Sequence, residues 1–569
     1  MIVRVLPDIR SSDKTFDYLV PEPLRDQVRV GTQVRVELHG RRVGAWVVAV
    51  DVEPPAGVAL KPVAKVTGWG PPVDVVDLAR WAAWRWAGRL APLLVTASPP
   101  HAVRAVPAPA RRHGVPAALD ELALAALDRR RSVVRLPPAA DAFALVVAAA
   151  ARGNALVITP SVASARHLAL RLDRAGLPVA LHPRDWSRGL AGATVVGTRA
   201  AAFAPVAHLV AVVVLDEHDE SLKEEQTVGW HARDVALERA ARAGVPCVLV
   251  SPVPSLEALA AAPLLTPSRA DERAGWPIVE VVDRSRDDPR DRSIVSSALV
   301  AHLRGDRRVV CVLNTKGRAR LLSCAACDTL ARCERCTAAV RQDEPGMLVC
   351  PRCDARRPAV CSRCGAGRFK LVRPGTARLR EELEAAAGTT VVEVVAGHED
   401  DDEARVLVGT EAVLHHARSA DVVAFLDFDA ELLAPRYRAE EESLALVARA
   451  ARLLGPRAGG GRLLLQTRLP KHPVVDAVLL ADPGRLVAAE RARREALGFP
   501  PATAMASVSG PAAAAFVEAL GRPLGVEVLG PADGTWLVRA PDHRTLCDAL
   551  AATHRPPGRL KLDVDPLRL

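Results

Sequence analysis

Between residues 132 and 297 the chain alternates short apolar runs with stretches of helical period. ALVITP (155–160), HLVAVVVLDEH (208–218) and PCVLVSP (246–252) are continuous apolar runs, the pattern of a strand buried on both sides. A second series covers 298–475: VVCVLN (309–314), TVVEVV (390–395), RVLVGT (405–410), DVVAFLDFD (421–429) and RLLLQT (462–467). A cysteine-rich insert at 318–367 interrupts it. Helices between such runs predict parallel sheets covered on both faces. Residues 1–52 read differently, as the short strands VRVLP, TFDYLVP, TQVRVEL and RVGAWVVAV, punctuated by Gly31, Gly40 and Gly44. That spacing predicts a small β-barrel or sandwich, closed by Pro54 and Pro55. Residues 74–98 read as a helix carrying Trp81, Trp84 and Trp86, with Trp81 and Trp84 on one core-facing side. A proline-rich connector (99–116) and a short helix (117–130) follow, and near the end a helix at 484–497 stops at LGFPP before a small α/β unit.

At roughly 150 residues per domain, 569 residues predict several domains. Hydrophobic residues at 49% and charged residues at 25% exclude a disordered tail, a collagen-like repeat and a small disulfide scaffold. Aromatics are only 3%, so the cores must be built from Ala, Val and Leu. The net charge of +10 admits a polyanionic partner, but the excess of Arg over Lys looks compositional and the charge alone does not select one. The opening MIVRVLPDIRSSDK has no apolar signal core, and Leu209–Leu215 is far short of the roughly 20 residues a membrane span needs. A soluble, cytoplasmic protein with no membrane partner is expected. In that compartment thiols stay reduced, so clustered cysteines point to metal.

Eight of the 11 cysteines form four Cys-x-x-Cys pairs: Cys324/Cys327, Cys333/Cys336, Cys350/Cys353 and Cys361/Cys364. Each two-residue gap turns both thiolates toward one tetrahedral ion, so two pairs close one four-thiolate site and four pairs close two. Spacing leaves sequential, interleaved and nested pairings open. The expected one is nested, with Cys324, Cys327, Cys361 and Cys364 on one zinc and Cys333, Cys336, Cys350 and Cys353 on the other. With every position filled by thiolate, both zincs are expected to be structural. Cys247, Cys311 and Cys547 stand alone and read as small core residues.

Several stretches, in this order, resemble the primosomal protein N′ (PriA) family of replication-restart proteins, in its helicase-motif-degenerate, actinobacterial-like form. They are TFDYLVP (15–21), VGTRAAAF (196–203), DEHDES (216–221), GWHARD (229–234), VLNTKGRARLLSCAAC (312–327), the eight cysteines, VLVGTEAVL (406–414), FLDFD (425–429), LGFPP (497–501), VLGPADG (528–534) and LDVDP (562–566). The resemblance implies a multi-domain α/β fold. It comprises a β-rich 3′-end DNA-binding domain with a helical extension (1–104), a linker or vestigial winged helix (105–131), two RecA-like parallel-sheet lobes of helicase type (132–297 and 298–475, the second carrying the two-zinc insert) and a C-terminal α/β domain (476–569). It also implies Phe16, Asp17 and Lys61 as DNA-binding residues: a stacking face, an acceptor for base or sugar donors and a phosphate partner. Trp230 falls where the family senses single-stranded DNA. The implied partners are forked DNA with a free 3′ end, other primosome proteins, the replicative helicase and, as a further candidate, single-stranded DNA-binding protein.

The departures from the family pattern concern phosphate. SVVRLPPAADAFALVV (132–147) stands where a glycine-rich loop should cradle nucleotide, and it brings Pro137 and Pro138 but no Lys. Proline has no N–H to offer an anion. No lysine anywhere in the chain follows a glycine. Asp216 and Glu217 end a strand as a vestigial magnesium-binding pair, in a motif one residue short. SPVPS (251–255) replaces the coupling motif, and Arg449, Arg452 and Arg457 are off the arginine-finger pattern and read as helix-surface charge. The expected function is therefore fork recognition and reloading of the replicative helicase without ATP-driven unwinding. The alternatives are a divergent but active ATP-dependent 3′–5′ DNA helicase and a zinc-ribbon adaptor between proteins.

Overall fold

The computed structural model describes residues 1–9, 13–54, 57, 59–110, 120–226, 228–287, 293–313, 321–344, 346–371, 376–394 and 404–568. Part of the expected linker (111–119) and the NTKGRAR segment (314–320) lie outside them. The chain divides into two compact units. One comprises Met1–Val134, Asp141–Leu265 and Leu497–Leu567; the other comprises Arg135–Ala140 and Thr266–Ala496.

In the first unit, five antiparallel strands follow the order Phe16–Leu19, Ile2–Pro7, Arg41–Val50, Gln33–Leu38, Lys65–Gly68. Residues 61–63 run beside the first of these, with Leu19 N–H donating to Lys61 O at 3.0 Å and Val63 N–H to Leu19 O at 2.9 Å, so the sheet curls toward closure. Val3, Val5, Tyr18, Val34, Val36 and Val47 fill its interior, as alternation along each strand requires. The module does not stop at Pro54, because its fifth strand follows that residue. The single helix expected at 74–98 is two, Val73–Arg85 and Leu90–Ala97. Ala87 breaks it at φ 43°, and a Cβ on Gly88 would come within 2.3 Å of the Val228 side chain. Trp86 is buried there, with Trp81 packed edge-on at 5.5 Å.

A seven-stranded sheet follows, in the order Leu264–Leu265, Arg131–Arg135, Cys247–Ser251, Leu209–Leu215, Asn154–Ile158, Thr194–Gly197, Val179–Leu181. Its central strand, Leu209–Leu215, pairs in parallel on both sides. The C-terminal module runs strand Ala504–Ser509, helix Ala513–Leu520, hairpin Glu527–Ala532 and Thr535–Ala540, helix His543–Ala552, strand Lys561–Val564. The last strand lies beside the first, giving the split βαββαβ arrangement. Its sheet, the two N-terminal helices and the seven-stranded sheet share one apolar core.

The second unit is built on six parallel strands in the order Ile278–Asp283, Arg462–Thr467, Val422–Phe425, Val309–Val312, Val406–Gly409, Val391–Val394. Ile278–Asp283 was expected with the preceding sheet. Its run IVEVVD carries acids only at Glu280 and Asp283, and it pairs here along its full length with Arg462–Thr467. The helices at Pro473–Leu479 and Val487–Leu497 belong largely to this unit, so the C-terminal module starts later than expected. Among the described residues, no helix is long and apolar enough to cross a membrane.

Candidate functional site

The strand Arg131–Arg135 leads through 136–142 into the helix Phe143–Ala151, the place where a motor of this fold would hold phosphate. Here the loop is closed by its own atoms. Pro137 and Pro138 are buried, and the Pro137 ring lies where a Cβ on Gly275 would come within 2.5 Å. The next two amides are in use: Ala139 N–H donates to Gly275 O at 3.2 Å and Ala140 N–H to Pro137 O at 2.9 Å. Arg452, exposed on helix Ala439–Leu454, donates through Nε to the Pro138 carbonyl at 3.3 Å. At the helix start, where unpaired amides favour an anion, the anion is Asp141. Its Oδ1 accepts from the Phe143 amide at 3.0 Å and from Arg171 Nη1 at 3.0 Å. The bond from Arg171 holds this carboxyl below the usual range, and the Arg171 guanidinium also stacks on the Phe143 ring at 3.9 Å.

The acid pair is likewise engaged. Asp216 takes the left-handed turn at φ 51° after strand Leu209–Leu215, and Glu217 is 0% exposed. Glu217 accepts from Ser255 N–H at 2.7 Å and from Ser255 Oγ at 2.9 Å, and pairs with Arg233 at 3.5 Å. Ser255 caps helix Leu256–Ala261, so SPVPS and the acid pair meet as a structural joint. Arg233 also bonds Asp234 at 2.9 Å. Burial raises the Asp234 carboxyl, but the charges of Arg233, His231 and Arg85 together outweigh it and bring it down to about 2. Arg85, from the N-terminal helix, lies 4.0 Å from Asp234 and 2.6 Å from Asp565, which His543 also contacts at 2.9 Å. GWHARD and LDVDP thus converge on one buried ion network. Trp230 is 2% exposed and edge-on to Phe203 at 5.0 Å, so it is core rather than a sensor of single strands.

In the insert, the eight cysteines gather as Cys324, Cys327, Cys361 and Cys364, and as Cys333, Cys336, Cys350 and Cys353. Within each quartet all ligand atoms lie within 4.8 Å of one another. The close sulfur pairs are 3.5 and 3.6 Å apart in the first quartet and 3.6 and 3.4 Å in the second. A disulfide needs about 2.05 Å. Four sulfurs about 2.3 Å from a central ion stand about 3.8 Å apart, so the quartets fit a tetrahedral metal. One turn recurs four times. The residue after each second cysteine (Asp328, Thr337, Asp354, Gly365) has φ between 54° and 75° and donates its N–H to the first cysteine's carbonyl at 2.9–3.0 Å. Asp and Gly tolerate that left-handed region, whereas the β-branched Thr337 is strained there. Burial pushes the lone thiols up, to about 12 at Cys247 and Cys311 and about 11 at Cys547.

On the barrel, Phe16 and Asp17 open strand Phe16–Leu19, and Lys61 is drawn beside the far end of that strand by its backbone bond to Leu19. Phe16 is half-buried against the barrel core. Asp17, with a side chain 7% exposed, is gripped by Arg4 through bonds of 2.8 and 3.0 Å. That partner is invisible in sequence because it is 13 residues away on the neighbouring strand. Lys61 pairs with Glu37 at 2.7 Å in the open.

Residues 4–99 match the family model of the PriA 3′DNA-binding domain. The probable replication restart protein PriA of Mycobacterium tuberculosis (strain CDC 1551 / Oshkosh) is 30% identical over 93% of this chain and 90% of its own. The replication restart protein PriA of Treponema pallidum is 30% identical over 59% of this chain and 57% of its own. Among solved structures, S. cerevisiae Dbp5 bound to RNA and ADP BeF3 aligns with 67% of this chain and 94% of that one at 12% identity, with a TM-score of 0.37. With a relative of such identity matching nearly end to end, and the 3′DNA-binding domain at its start, this chain belongs to the PriA family of replication restart proteins.

Proposed function

We propose that the protein recognises abandoned replication forks as a DNA-binding scaffold and promotes reloading of the replicative helicase through partner proteins, without unwinding DNA itself. The observation that carries this reading is Asp141, a carboxylate of the chain itself in the phosphate seat, held by the Phe143 amide and Arg171. An incoming phosphate would have to displace it and would find no free amide at Pro137 or Pro138. The acid that would serve magnesium, Glu217, is occupied by Ser255 and Arg233.

At the N-terminal domain, Phe16 offers a terminal base its ring, Asp17 accepts from base or sugar through its remaining lone pairs, and Lys61 exchanges Glu37 for a phosphate. Each cysteine quartet holds a structural zinc, since four thiolates leave no open position for substrate. The insert so stiffened is the surface offered to other primosome proteins.

Two measurements on metal-replete protein test the reading: anisotropy with a fork bearing a free 3′ end, and strand displacement with ATP. Tight binding without displacement is expected. ATP-dependent displacement would establish the helicase alternative, and no binding at moderate salt would favour the adaptor.

A further inference from the structure

Arg35 and Lys65 stand directly opposite each other on the paired antiparallel strands Gln33–Leu38 and Lys65–Gly68. Both are exposed, and neither makes an ion pair among the described residues. Like charges so placed repel and lower the stability of the sheet. On its other side Arg35 faces Gly44, and a Cβ there would meet nothing within 4 Å. One step along, Glu37 faces Arg42, and Lys61 lies 2.7 Å from Glu37 with 56% and 49% of the two side chains exposed. Val34 and Val36 alternate with these residues and are buried inside, so the pleat sends all the charges outward. Arg35, Arg42, Lys61 and Lys65 thus lie on the outer side around the carboxylate of Glu37, while Asp17, on the same side of the sheet, is already held by Arg4.

We propose that this face is a track for the phosphodiester backbone of DNA, with Arg35 and Lys65 as paired phosphate contacts. It rests on the DNA-binding reading of the N-terminal domain and extends it to residues outside the 3′-end pocket. Repulsion between two unpaired cations is relieved when an anion sits between them. The bare backbone at Gly44 leaves room for a strand to lie flat against the sheet. Lys61 joins the track to the pocket, because its carbonyl is bonded to the strand that carries Phe16 and Asp17. An acidic protein partner would use the same charges but would not follow the counterion-release law of DNA.

The test uses full-length, metal-replete protein and two labelled forks, one with a leading-strand 3′ end at the branch and one with that strand withdrawn. Binding is followed by anisotropy from roughly 50 to 200 mM salt. The double variant Arg35→Ala, Lys65→Ala should weaken both forks by a similar factor, roughly tenfold at the upper salt, and flatten the log–log salt slope by about 1.8, two contacts' worth. Arg35→Lys should keep the slope. Melting temperature should hold or rise in the double variant, which separates lost binding from unfolding. Phe16→Ala should instead remove only the preference for the 3′ end, so failure of the pocket and failure of the track are distinguishable. An unchanged slope and affinity in the double variant would overturn the track. So would a loss confined to the fork with the 3′ end, which would move both residues into the pocket.

Discussion

Arg171 and Asp141 form a clamp over the first amide of the helix Phe143–Ala151: Arg171 Nη1 is 3.0 Å from the same carboxylate oxygen that accepts the Phe143 N–H. A helix start attracts anions whatever their source, and in this chain the source is covalent. Asp141→Ala should lower stability at neutral pH by about 0.5–1 kcal/mol, since the pair is partly exposed and screened. Its folded carboxyl is depressed, so the contribution is present above the unfolded value near ~3.9 and fades as pH falls through the lower folded one. Urea unfolding at neutral and acid pH checks this, and an equal loss at both would contradict the clamp.

Glu217 should behave as a structural residue. Removing one partner of a buried ion pair costs about 3–5 kcal/mol, so Glu217→Ala should destabilise strongly by leaving Arg233 short of a partner and Ser255 without its acceptor. Asp216→Ala should cost less, because Asp216 is half-buried and its main burden is its left-handed backbone. Urea midpoints of the two variants give the order; a milder effect at Glu217 would contradict it.

The metal sites should empty independently. Native mass spectrometry should count two bound ions in the purified protein, one in Cys350→Ala, one in Cys361→Ala and none in the double variant, because those cysteines belong to different quartets. Structural zinc supplies about 10–16 kcal/mol of folding free energy per site, so a chelator should melt the insert. Loss of both ions from either single substitution would contradict independence, and one ion kept in the double variant would contradict the nested quartets.

A pH signature of opposite sign belongs to the second unit. Burial and the neighbouring Asp429 push the Asp427 carboxyl up to about 7. A raised carboxyl penalises the fold where it must ionise, so the penalty grows from the unfolded value near ~3.9 up to the folded one. Burial also pushes Glu490 of the same unit up to about 7. The unit's melting temperature should therefore rise as pH drops from about 8 to 5, and Asp427→Asn should reduce that dependence without abolishing it. A slope unchanged in the variant would assign it elsewhere.

Much of this was legible in the sequence. Continuous apolar runs such as Leu209–Leu215 mark buried parallel strands, because nothing else holds so many β-branched residues without a polar face. Two-residue cysteine gaps mark thiolate turns, and the Asp328, Asp354 and Gly365 that follow them carry the same signal, being residue types that accept the left-handed turn. The two amides missing at Pro137 and Pro138 are readable in the sequence, but the contact of Asp141 with the Phe143 amide and Arg171 is not. That needs the helix to begin at Phe143 and Arg171 to arrive from 30 residues away. Arg4 on Asp17, and Arg85 on Asp565 across 480 residues, are products of packing that no local pattern encodes. Trp230 misled for the same reason: an aromatic in a family DNA-sensing segment is still core once Phe203 covers it.

The most direct measurement is phosphate release from ATP by metal-replete protein, with and without forked DNA, beside nucleotide binding by calorimetry. With Asp141 in the phosphate seat, no fork-stimulated release is expected, and none should appear in Asp141→Ala, because Pro137 and Pro138 still lack the amides. Fork-stimulated turnover that disappears in Asp216→Ala would contradict the closed loop and restore the motor.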